Sequence, residues 1–228
     1  MKAKRIKDSQ KSKEDILIAA ELQFAEKGIY GTRIDEIAEN ANINKRMIYE
    51  YFGSKEELYK AVLRAVYSRL SQKEILVLSE DLSCIDAMKK IVTLYFDFLS
   101  ENPSYVNLIL WENLNKGKYI QDIDFTKIKD PTFDLLRKVI SKGKNEGVFK
   151  SQIDSEQVIL SLLTYTFSYF SNRYTLSKLV GRKLDNEENI KKRVEDVTDM
   201  FLSYLCVNRG WKELCVHTVK EKPPWGNK

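Results

Sequence analysis

Lys45, Arg46, Tyr49, Tyr51 and Lys55 fall within eleven positions, with Ile48 and Phe52 as the apolar members among them. On a helix Ile48 and Phe52, four apart, share one face, whereas Lys45 and Tyr49, also four apart, share another with Arg46 beside them. The chemistry on offer is contact with a polyanion. Lysine and arginine can read guanine edges in a major groove, and tyrosine or threonine hydroxyls and helix N-terminal amides can bind phosphate oxygens. Thr32 with Arg33 upstream, and Lys55 downstream, lie where the flanking backbone of a duplex would pass. A solvated amphipathic face would account for the cations but not for two outward tyrosines beside them.

The elements that must hold this set in place read as helices. Glu14 to Lys27 carries Ile16, Ala20 and Phe24 at intervals of four, and Gly28 offers a left-handed stop. Thr32 starts a second helix, with Asp35 as the acidic partner of a capping box, and Ile34, Ile37, Ala38 and Ala41 form its inner face. Asn42 suits a tight turn because asparagine tolerates positive φ. Asn44 is the N-cap of a third helix ending near Phe52, Gly53 breaks it, and Ser54 with Glu57 caps a longer fourth. Short helices joined by such turns make a helix-turn-helix unit.

Charge supports the same reading. Residues 1–13 hold six Lys or Arg against Asp8, while the rest of the 228-residue chain is balanced, so the net +5 lies ahead of the first helix. Residues 1–9 are expected to be a flexible basic arm, suited to phosphates because neutralising them releases counterions. Cys84, Cys206 and Cys215 are far from any CxxC spacing and His217 is the single histidine, which leaves no metal or disulfide framework to expect. No P-loop, GxGxxG, GxSxG or HExxH motif is present, so neither enzyme nor cofactor is expected. The basic start lacks a following apolar region, and the longest uncharged run, 157–172, is too short and polar to span a membrane. The expected location is a reducing cytoplasm.

The residues Ile16, Ala19, Ala20, Phe24, Gly28, Thr32, Ile34, Ile37, Ala38, Ala41, Ile43, Tyr49, Tyr51, Phe52, Lys55, Glu56 and Leu58 together resemble the N-terminal DNA-binding domain of the TetR family, over residues 10–70. Asn42 stands where that family usually has glycine and Asn44 where it often has serine or threonine; both keep the local physics. Lys45, Arg46 and Met47 occupy the positions at which members differ most. The resemblance implies a one-component transcriptional regulator, usually a repressor, whose helical C-terminal domain dimerises and binds a small molecule. The expected DNA-facing set is Thr32, Arg33, Asn44, Lys45, Arg46, Met47, Tyr49, Tyr51 and Lys55, and the expected partner is a double-stranded operator.

Residues 71–208 read as an all-α domain on their own terms, and 209–228 as a tail without a motif. Amphipathic stretches recur at 86–102, 104–115, 132–146, 155–179 and 186–207, bounded by Pro103, Gly117, Pro131, Gly147 and Gly181. The helix through Val158 and Leu162 is apolar all round and must be covered on every side. Ile190, Val194, Val197, Phe201 and Tyr204 alternate by three and four, a narrow seam for helix pairing. We therefore expect a homodimer sealed by Val158, Leu162, Val194, Val197, Phe201 and Tyr204. Aromatic density suggests a cavity for a hydrophobic or aromatic effector, lined by Tyr95, Phe98, Asn107, Trp111, Tyr165, Tyr169 and Arg173. The alternative is a DNA-binding scaffold controlled by a protein partner.

Overall fold

The computed structural model describes residues 2–207, with residues 2–8 as backbone alone. Among them ten α-helices follow one another: α1 (Lys2–Gly31), α2 (Ile34–Asn40), α3 (Lys45–Phe52), α4 (Lys55–Leu78), α5 (Cys84–Glu101), α6 (Pro103–Leu114), α7 (Asp130–Asn145), α8 (Ser155–Ser171), α9 (Arg173–Val180) and α10 (Glu187–Leu205). A short 3-10 turn spans Ile120–Asp122. A lone antiparallel bridge, Phe149 to Cys206, ties the end of α10 to the turn after α7. The fold is all-α, a helix-turn-helix unit followed by a larger helical body. No helix among the described residues is long and apolar enough to cross a membrane.

The expected stops appear where the backbone demands them. Asn42 has φ 52°, and the amide of Ile43 reaches back to the Ala38 carbonyl at 3.0 Å. Asn44 Oδ1 accepts from the Arg46 amide at 2.8 Å, and Ser54 Oγ from the Glu57 amide at 3.1 Å, so both cap as anticipated. Gly28 has φ 65° and interrupts α1 just before its last turn. Ile16, Phe24, Ile37, Ile48 and Leu58 close over one another as the shared core of α1 to α4.

Three expectations on segmentation are corrected. The arm expected at 1–9 is helical from Lys2 on, because no glycine or proline precedes Gly28 to stop α1. Thr32 does not cap α2: the helix starts at Ile34, Arg33 occupies the cap position without a side-chain bond, and Thr32 is buried. Its hydroxyl donates to the carbonyl of Gly28 at 2.7 Å and lies 3.0 Å from that of Gln23, tying off the end of α1. The stretch 155–179 is two helices, since α8 ends at Ser171 and Asn172 separates it from α9. Residues 209–228, the unassigned tail, lie outside the described residues.

Candidate nucleic-acid interface and internal cavity

The outer face of α3 carries Lys45, Arg46 and Tyr49, all exposed, with Ile48 buried beneath. Neither cation is idle. Lys45 pairs with Asp35 at 2.8 Å, and Arg46 with Glu50 at 2.9 Å. The hydrogen bond it donates to Asp35 holds the Lys45 ammonium above its ordinary range. These pairs are solvent-exposed and worth little, so a duplex can exchange them for its own acceptors. Tyr49 is 43% exposed and presents its ring beside them. Arg33 and Asn44 are exposed, whereas Met47, Tyr51 and Lys55 are half-buried. Lys13 of α1 sits 5.4 Å from the centre of the Tyr51 ring. Thr32 leaves this group, for burial and the two α1 carbonyls remove its hydroxyl from any phosphate.

The second feature is an open-sided cavity of about 670 Å³ bordered by α4, α5, α6, α7 and α8. Tyr67, Leu70, Tyr95, Tyr105, Phe125 and Phe133 supply much of its wall. Tyr67 packs edge-on against Tyr105 at 5.6 Å and Phe125 at 4.8 Å between ring centres. Burial pushes the Tyr67 phenol up to about 12 and that of Tyr105 well above its usual value, so both keep their protons. Behind the wall lies an ion pair. Lys129 Nζ is 2.6 Å from one Glu74 oxygen and 2.8 Å from the other, and the Tyr95 hydroxyl donates to the same carboxylate. Glu74 is fully buried and Lys129 nearly so.

Of the side chains expected to line a cavity, Tyr95 does. Phe98 is buried against Tyr105, and the Tyr169 hydroxyl donates to the Leu184 carbonyl at 2.6 Å, so both belong to the core. Asn107 opens instead on a groove between α1 and α6. Tyr165 is 44% exposed and stands edge-on to Phe201 in a cleft between α8 and α10. Arg173 starts α9, with its guanidinium 4.8 Å from the Tyr174 ring and bonded to that hydroxyl, away from the cavity. Sequence reasoning missed Tyr67, Lys129 and Glu74. A lysine and a glutamate 55 positions apart carry no periodic signal of their pairing.

Trp111 has a different role from the one expected. Its indole lies flat on Gly28, where an added Cβ would come within 2.9 Å of two ring carbons, and its Nε1 donates to the Ala25 carbonyl at 3.2 Å. The neighbouring α6 residues Ile109, Leu110 and Asn113 face the cavity, so α6 touches the cavity on one side and α1 on the other. Replacing Gly28 with alanine forces that ring aside at a positive φ. We expect a loss of about 1–3 kcal/mol, read as a lower thermal midpoint; an unchanged midpoint would mean the indole yields freely.

The expected dimer seam is corrected too. Val158, Leu162, Val197 and Phe201 are buried within the protomer, because α8 and α10 both pack on α5, and Val194 is half-buried. The apolar residues left outward on these helices are Leu160, Tyr165, Met200 and Tyr204, of which Tyr204 alone was in the expected set.

Comparison with known proteins agrees on both parts of the chain. Residues 12–62 match the bacterial regulatory proteins of the tetR family, and residues 85–201 the tetracyclin repressor-like C-terminal domain. The HTH-type transcriptional repressor NicS of Pseudomonas putida is 28% identical over 87% of this chain and 94% of its own length. The HTH-type transcriptional repressor SCO4008 of Streptomyces coelicolor is 33% identical over 69% of this chain and 77% of its own. The transcriptional regulator FadR from Bacillus subtilis, solved in complex with stearoyl-CoA, superposes with a TM-score of 0.67 at 15% identity, covering 84% of this chain and 98% of that one.

Proposed function

Since this chain belongs to the TetR family, and is by that membership a DNA-binding transcriptional regulator and not an enzyme, we propose that it is a repressor released by a small molecule. Two protomers, joined through α8 and α10, each lay α3 in the major groove of a palindromic operator. The effector enters the cavity bounded by α4 and α6, the helices that pack on α1, and favours a conformation in which the two α3 helices no longer fit successive grooves. For useful control the two sites need a coupling of about 1–3 kcal/mol, and operator DNA must weaken effector binding by the same factor. The observation that carries the DNA half of this reading is the outward set Lys45, Arg46 and Tyr49 over a buried Ile48. The effector half rests on the open-sided, largely apolar cavity, which suits a molecule of modest size.

The roles within the DNA-facing set differ in kind, and that supplies the test. Against duplexes enriched from a random library, Arg46→Ala should cost about 1–3 kcal/mol and relax preference at the bases it reads. Lys55→Ala should weaken enriched and random duplexes alike and make the salt dependence shallower by about one unit of slope. Equal loss on both kinds of duplex for Arg46→Ala would remove it from base reading.

A further inference from the structure

The cavity has an unusual electrical balance. Its charged lining residues are Lys129 and Asp130, and Lys129 is already held by both oxygens of Glu74. With Glu74 counted, one cation faces two carboxylates, and Asp130 is exposed at the start of α7. An anionic guest would therefore find no unanswered positive charge and would approach past a carboxylate. A charged group taken from water into an apolar space without a partner is strongly disfavoured. The remaining face of the Lys129 ammonium lies 5.4 Å from the centre of the Phe133 ring, another lining residue.

Two polar atoms of the wall are differently placed. The hydroxyls of Tyr67 and Tyr105 have no hydrogen-bond partner among the described residues. The threonines of the α8 wall, by contrast, turn back on their own helix: Thr164 donates to the Leu160 carbonyl at 2.7 Å and Thr166 to that of Leu162 at 2.8 Å. Two phenols that keep their protons, set in an apolar wall, can both donate to one oxygen of a guest.

We propose that the cavity selects an uncharged, mainly apolar molecule carrying an oxygen acceptor for Tyr67 and Tyr105, and that the Glu74–Lys129 pair excludes carboxylates and other anions. This rests on the reading of the cavity as the effector site. It replaces the expectation that Arg173 receives an anionic group, because Arg173 lies outside the cavity.

Pyrenebutyramide and pyrenebutyrate, fluorescent and alike except for amide against carboxylate, give the test on the full-length protein. The amide should bind wild type about tenfold or more tightly than the carboxylate, and Leu163→Trp, which fills the cavity from its α8 wall, should abolish binding of both. Glu74→Gln keeps the shape and the Tyr95 bond but frees the Lys129 charge; the carboxylate should then gain about tenfold relative to the amide. Tyr67→Phe with Tyr105→Phe should weaken the amide; an unchanged amide affinity removes the two phenols from the site. A wild-type preference for the carboxylate, blocked by Leu163→Trp, overturns the neutral class while leaving the cavity as the receiving site. Binding of neither probe, or binding that Leu163→Trp leaves intact, overturns the cavity itself and this inference with it.

Discussion

Lys129→Met should lower the unfolding free energy by about 3–5 kcal/mol, a large loss for one substitution. Methionine fills much of the lysine's volume, so the loss does not come from packing. It comes from Glu74, which is fully buried and would keep the Tyr95 hydroxyl as its partner while losing the ammonium held by both its oxygens. The double variant Glu74→Leu with Lys129→Met removes both charges and should recover most of the stability, since an apolar pair costs no desolvation of ions. Urea denaturation of the three proteins decides it. If the double variant is as weak as the single one, the two side chains are not coupled in the way their geometry implies.

Operator binding should fall by about a hundredfold or more when Leu160 and Met200 are both replaced by aspartate. Both side chains point outward, 57% and 42% exposed, so the protomer has no packing to lose there. Two linked readers hold each other at high effective concentration on adjacent half-sites, and separating them forfeits that gain. Sedimentation should report a monomer with an unchanged helical spectrum. A dimer that survives the pair of charges places the subunit interface on another face. The same charges at Val197 and Phe201 would be a poor test, because those side chains are buried and the protomer would unfold first.

The helix-turn-helix unit was legible because its determinants are local. Asn44 and Ser54 act as caps within three residues of themselves, Asn42 and Gly28 take the positive φ they were expected to take, and Ile48 points inward by its spacing alone. Thr32 misled for the same local reason. A threonine three residues before an acid reads as a cap, yet the tertiary turn at Gly28 offered its hydroxyl two carbonyls instead. The cavity was only partly legible because five helices and the segment before α7 contribute to it, and aromatic density does not distinguish a ring that lines space from one that fills it. Trp111 packs on Gly28 and Phe98 on Tyr105, both away from the open space. The outward side of α8 and α10 was hidden by a further effect: periodicity marks an apolar stripe but not which neighbour covers it, and α5 covers most of both.

The two exposed ion pairs on the proposed DNA-facing surface bear on how such a protein would travel through a genome. On that proposal Asp35 and Glu50 would act as built-in decoys, offering Lys45 and Arg46 an intramolecular alternative to any arbitrary duplex. Each exchange costs about 0.2–1 kcal/mol, small beside a well-formed contact to a correct base but comparable with a loose phosphate contact. Competing sites number on the order of a million or more, so a slight penalty applied at every wrong one shortens each idle stop. Removing Asp35 or Glu50 would then make the protein bind more tightly everywhere and search more slowly, trading discrimination for adhesion.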